Sequence, residues 1–129
     1  MRFLQKLLSN RPPDDEAVLV HFQYGQECLA AFNHLRECLV SVITEKNLGI
    51  FARHELAYDH TDGFLYMYGP DADELFEAIH PILKKTSFMH KARVKMRYGD
   101  VSAHVKGRVV FIDTKGEKIW PAYNQCLTG

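Results

Sequence analysis

The segment DGFLYMYGPDADELFEAIHPIL, residues 62–83, changes its hydrophobic period partway along. In its first part the side chains alternate. Leu65 and Met67 fall on one side and Phe64, Tyr66 and Tyr68 on the other, as in a strand. After Gly69-Pro70 the step becomes three to four, and Leu75, Phe76, Ile79 and Leu83 make the apolar stripe of a helix. Asp71 stands at the N-cap position, and Glu74 follows with capping-box spacing. Pro81 lies inside the stripe. It has no amide hydrogen, so a kink or split near His80 is expected.

Working outward, Ile50 to Tyr58 reads as a strand joined to the quoted one through Asp59-His60-Thr61-Asp62-Gly63, with Asp-Gly as the hairpin signal. Upstream, VLVHFQY (18–24) alternates. Val18, Val20 and Phe22 take one side; Leu19, His21 and Gln23 take the other. A helix is expected from Gln26 to Lys46, with Cys28, Phe32, Leu35, Leu39 and Val42 on its buried stripe. Asn47-Leu48-Gly49 should stop it, with Gly49 supplying the left-handed residue. Downstream, ARVKMRY (92–98) alternates cleanly, and a further short strand is expected from Arg108 to Ile112.

The order β-α-β-β-α-β predicts an α+β fold. Right-handed crossovers make it a ferredoxin-like plait, strand order 4-1-3-2, with both helices on one face of an antiparallel four-stranded sheet. A C-terminal extension adds the extra strand, and strand four is expected at an edge. Residues 1–16 read as an appendage and linker, broken at Pro12-Pro13, and 17–129 as a single domain.

With 129 residues and 47% hydrophobic content, the chain can build one core without disulfide staples. Its 16 basic and 16 acidic side chains cancel, which argues against a dedicated nucleic-acid packager or membrane-surface binder. Of three cysteines, Cys28 and Cys38 are ten residues apart on the expected helix. That is about 15 Å, too far for a disulfide. Reduced thiols are expected, Cys126 included. No apolar run is long enough to span a membrane, and MRFLQKLLS lacks the features of a signal peptide. The expected location is the cytoplasm, with no membrane partner.

If Val18, Val20, Phe22, Val94 and Met96 face the helices, the open face carries His21, Gln23, Arg53, Tyr66, Tyr68, Arg93, Lys95 and Arg97. An aromatic row beside a basic row can stack bases and neutralise phosphates. It can equally form a protein contact, or a charged edge that blocks aggregation. Phe64 and Glu55 belong to the same face. The interval Ala78 to Gly99 holds Lys84, Lys85, Lys91, Arg93, Lys95 and Arg97 and no acid, an asymmetry that could dock an acidic partner. His54, Glu55, Asp59, His60 and Asp62 crowd the hairpin, but His54 and Glu55 point to opposite faces, so a metal site is not expected. No nucleophile elbow, phosphate loop or zinc-protease motif occurs. No cofactor or catalytic residue is indicated.

Two resemblances follow from these residues. The plait order and Asp62-Gly63-Phe64-Leu65-Tyr66-Met67-Tyr68 resemble an RNA-recognition-motif domain and its third strand. Asp62 stands where that family has a basic residue, Leu65 where it has a small one, and His21 where a first-strand aromatic belongs. The resemblance implies a nucleic-acid face on the same side of the sheet. Residues 62–83 continuing to ARVKMRYGD are similar to a recurring pattern in small uncharacterised bacterial proteins. It covers about 18–112, and LYMYGPDADELF (65–76) is its most specific part. That similarity implies a bacterial source and no particular activity.

The leading expectation is a non-enzymatic interaction module that binds a protein or a second copy of itself, as a homodimer, through the open face. The alternatives are single-stranded nucleic-acid binding by the same residues, and a small-ligand-binding regulator or small enzyme.

Overall fold

Val18, Val20 and Phe22 are almost wholly buried, whereas Leu19 and His21 between them are half-buried. β1 (Glu16–Gln23) therefore turns alternate side chains to opposite faces. It is the central strand, antiparallel to β3 (Asp62–Gly69) on one side and to β4 (Arg93–Arg97) on the other. β2 (Ile50–Leu56) lies outside β3 and β5 (Arg108–Phe111) outside β4, giving an antiparallel sheet of order β2-β3-β1-β4-β5. The computed structural model describes residues 16–99 and 107–114. The α+β class holds, and the first four strands stand in the expected order 4-1-3-2. The expected edge position of β4 is corrected. Ile112 is buried and exchanges backbone hydrogen bonds with Lys91 and Ala92, which fastens β5 along the outer side of β4.

α1 (Ala30–Glu45) and α2 (Ala72–Lys84) share one face of the sheet. Phe32, Leu35, Leu39 and Ile43 of α1 and Leu75, Phe76, Ile79 and Leu83 of α2 join Val18, Val20, Phe22, Leu65, Met67, Val94 and Met96 in one core. Burying each large apolar side chain contributes about 1.5–3 kcal/mol. A 3₁₀ turn at Ser87–Met89 leads from α2 toward β4 and buries Met89. Among the described residues, no helix is long and apolar enough to cross a membrane.

Several local expectations are corrected. α1 starts at Ala30, later than Gln26, because its first turn is organised by a hydroxyl from β1's end. Phe32 N–H donates to Tyr24 Oη at 3.3 Å, and Tyr24 O–H donates to the Cys28 carbonyl. At the other end Asn47 takes the helix-ending left-handed conformation (φ 54°), and Gly49 two residues on also has a positive φ (145°). Asn47 N–H reaches the Thr44 carbonyl and Leu48 N–H the Ile43 carbonyl, a Schellman pair. Gly49 is required both by that φ and by space, since a Cβ there would lie 2.0 Å from the Tyr68 carbonyl oxygen.

The β2–β3 turn is made by Tyr58–His60, with His60 at φ 63° and its N–H on the Ala57 carbonyl. Asp62-Gly63 is already in β3. α2 runs unbroken through Pro81. Its start is held twice, by the expected Asp71 cap on Glu74 N–H and by Glu16, whose carboxylate accepts from Ala72 N–H at 2.9 Å. Glu16 thus belongs to β1 and to the fold rather than to a linker. The expectation of reduced thiols is corrected at Cys28, which precedes α1 and is disulfide-bonded; Cys38 is free. The appendage before Glu16, Cys126, Trp120 and Pro121 lie outside the described residues.

Candidate interaction face

With the helices on one side, the other side of the sheet presents the residues of opposite parity, aligned in rows by strand pairing. One row runs Arg53, Tyr66, Leu19, Lys95, Val109. The next runs Glu55, Phe64, His21, Arg93, Phe111. A third runs Ile50, Tyr68, Ala17, Arg97. Gln23, exposed, stands opposite Asp62 at the strand end. A bulge between Phe51 and Arg53 shifts β2 by one residue, so Phe51 meets the core while Arg53 and Glu55 reach the open face. All eight residues expected on this face are on it. Five of them, His21, Arg53, Tyr66, Arg93 and Lys95, occupy its middle. Tyr68 and Arg97 flank the wholly buried Ala17 at one end.

The half of the face toward β2 is satisfied from within. Tyr66 O–H donates to Glu55 Oε1 at 2.8 Å, and Arg53 Nη1 donates to Glu55 Oε2 at 2.6 Å. The Arg53 guanidinium also lies 4.1 Å from the Tyr66 ring centroid, a cation–π contact. The two hydrogen bonds, Tyr66's first, hold the Glu55 carboxyl below its ordinary range. Partial burial and then the bond to Glu55 push the Tyr66 phenol up. Tyr66 is therefore a neutral donor and Glu55 a carboxylate acceptor. Next to them His21 stacks on Phe64, with centroids 4.4 Å apart and planes at 16°. His21 Nε2 lies 2.8 Å from Asp62 Oδ2. Phe64 and Tyr66 stand 6.2 Å apart. Both carboxylates that the strands place on this face, Glu55 and Asp62, are thus engaged inside the molecule.

The half toward β5 is different. Arg93 and Lys95 are exposed and make no hydrogen bond or ion pair among the described residues. They are two residues apart on one face of a strand, about 7 Å along it. Beyond them Val109 is 43% exposed and Phe111 61%; before them Phe64 is 38% exposed. A depression of about 220 Å³ opens between these groups, lined by Leu19, His21, Phe64, Tyr66, Arg93 and Lys95. Arg97 is half-buried, and its Nε and Nη2 have no hydrogen-bond partner among the described residues. The basic run read from the sequence is therefore divided. Lys84 and Lys85 sit at the end of α2, where cations suit the helix dipole, and Arg93, Lys95 and Arg97 sit on the open face.

Elsewhere, His54 and Glu55 do lie on opposite faces. The His54 ring packs edge-on to Phe32 at 4.8 Å. Among the described residues, no group of three or more His, Cys, Asp or Glu is placed to hold a metal ion. Cys38 Sγ and His34 Nε2 are 3.7 Å apart in a groove beside α1, but burial, and then Glu37, push the thiol pKa up. That keeps it protonated and a poor nucleophile.

Leu19, Asp62, Phe64, Val109 and Phe111 complete the face. Leu19 and Phe64 were legible from alternation. In the sequence Asp62 has the signature of a turn residue, and Val109 and Phe111 carry no signal until β5 is known to pair with β4. The fold and face define an α+β domain with one helix-covered and one open sheet surface. Comparison with protein-family models, curated proteins and solved structures finds no match to this chain.

Proposed function

We propose that this chain is a non-enzymatic interaction module that contacts a protein partner through the open sheet face. One observation carries the reading: among the described residues, Arg93 and Lys95 are exposed and unpaired between exposed apolar side chains, while Glu55 and Asp62 of the same face are bonded to neighbouring side chains. Exposed apolar surface around unpaired charge is the composition of a docking patch. Self-association as a homodimer has less support, since among the described residues a second copy laid face to face brings no free strand carboxylate to these cations. The four-strand order supports a ferredoxin-like plait extended by β5, and with it fold-level kinship to RNA-recognition-motif domains.

Single-stranded nucleic-acid binding is the second reading, favoured by the same two cations beside aromatic rings. It is weakened because His21 covers one face of Phe64 and Arg53 one face of Tyr66, and base stacking needs free ring faces. A regulator or enzyme with a small ligand has less support still. The depression, about 220 Å³, is below the roughly 300–1,000 Å³ of ligand pockets. Bacterial origin belongs to the proposal; the expected cytoplasmic location is not carried into it, because the disulfide at Cys28 suits an oxidising compartment.

The test is a photo-crosslinking residue placed at Phe64 and, as control, at exposed Glu77 of α2, in cells expressing the full chain. A protein adduct at position 64 and none at 77 supports the module. A nucleic-acid adduct at 64 supports the second reading. No adduct at 64, or equal adducts at both positions, overturns a role for this face.

A further inference from the structure

Resting on the open face as a protein-docking surface, we infer that its partner is an acidic polypeptide segment. The segment inserts one apolar side chain into the depression over Leu19 and pairs two carboxylates with Arg93 and Lys95. Among the described residues, the strand carboxylates of the face bond elsewhere, Glu55 to Arg53 and Tyr66 and Asp62 to His21. The positive charge of Arg93 and Lys95 is left for a carboxylate from outside. A carboxylate at Arg93 also gains a planar, two-point hydrogen-bonded contact that a guanidinium offers.

About 7 Å between Arg93 and Lys95 along β4 matches alternate residues of an extended chain. An extended segment lying over the seam of β1 and β4, its side chains alternating sideways, turns two acids toward Arg93 and Lys95 and the apolar residue between them toward the depression beside Phe64. A depression of about 220 Å³ walled by aromatic rings and floored by Leu19 takes one side chain rather than a metabolite. The charged rim around an apolar anchor is the usual anatomy of a docking centre.

The experiment measures fluorescence anisotropy of three labelled probes against the full chain: a random Glu/Tyr copolymer, poly-Glu of equal length, and a random single-stranded RNA. The copolymer should bind about tenfold more tightly than poly-Glu, the worth of one well-buried anchor. The Arg93→Glu/Lys95→Glu variant, altered only at exposed positions, should lose copolymer binding by about tenfold or more. Lys84→Glu/Lys85→Glu, the same charge change on the helix side, should bind as wild type. Leu19→Trp, checked for a native unfolding transition, should fill the depression and erase the preference for the copolymer over poly-Glu. Equal binding by wild type and Arg93→Glu/Lys95→Glu overturns the acidic partner. Equal affinity for copolymer and poly-Glu overturns the anchor. RNA bound more tightly than the copolymer, and lost in the same double variant, overturns both in favour of nucleic acid. A protein adduct at position 64 combined with any of the first two failures would remove the acidic-partner inference and leave the docking role of the face standing.

Discussion

Tyr24 is a core residue whose hydroxyl still has work at the start of α1. It receives Phe32 N–H and donates to the Cys28 carbonyl, while Leu29 at the cap position makes no side-chain hydrogen bond. Tyr24→Phe should therefore cost about 1 kcal/mol, the range of a lost helix cap, measured as a lower urea midpoint at unchanged slope. Gly63 is a second single-atom constraint. A Cβ there would meet the Glu55 carbonyl oxygen at 2.7 Å, Leu56 Cδ1 at 2.8 Å and Phe22 Cζ at 2.9 Å. Gly63→Ala should destabilise by about 1–3 kcal/mol through overpacking, read by the same denaturation.

The histidines give a pH signature. Burial, with Arg36 as a smaller cause, lowers the His54 pKa below 6.5. Burial and then Lys84 do the same at His80, which stacks on Phe76. The unfolded chain then takes up protons first as pH falls. Stability is full above about pH 6.5 and declines as pH drops toward the folded-state values. Thermal midpoints between pH 7 and 5 should fall for wild type and fall less for His54→Gln/His80→Gln. Equal slopes would assign the loss to other groups.

Elements resolve conflicts that residues create. In α2, Pro81 removes one amide donor, yet the helix continues to Lys84 because Leu75, Phe76, Ile79 and Leu83 bury its face on both sides of the proline. Packing outweighs a local propensity penalty of about 3 kcal/mol. Pro81 is exposed, so Pro81→Ala should raise stability, by about 1–2 kcal/mol once the looser unfolded chain is counted. Asp71→Ala should lower it by about 1 kcal/mol, losing the cap on Glu74. Opposite shifts in the urea midpoint would show both effects acting on one helix. β5 makes the same point for the sheet. Four residues form a strand only because β4 offers an open edge and Ile112 is buried beside it.

For the whole molecule, the internal bonding of Glu55 and Asp62 leaves no free strand carboxylate on the face to meet Arg93 and Lys95 of a second copy, among the described residues. Sedimentation at tens of micromolar concentration should give a monomer. A dimer dispersed by Arg93→Glu/Lys95→Glu would instead return the face to self-association. Among the described residues, the helix-covered side is closed by one continuous core and the middle of the other side is not, so function is expected there.

Alternation and helical spacing were enough to specify the α+β class, the element order and which side of β1, β3 and β4 faces the helices. Those are matters of period, and a strand or helix that must bury one face writes its period into the chain. Asp71 as a cap and the outward direction of Tyr66, Arg93 and Lys95 were legible for the same reason. What only the tertiary structure decided is every property that depends on a partner distant in sequence. Glu16 reaches α2 and Asp62 reaches His21, 56 and 41 residues away along the chain. Tyr24 caps α1, and β5 turns β4 from an edge into an interior strand. That Arg93 and Lys95 find no partner among the described residues is of this kind too. Sixteen basic and sixteen acidic side chains balance in the sequence, but only folding determines which charges meet, because ion pairs form across space and carry no period.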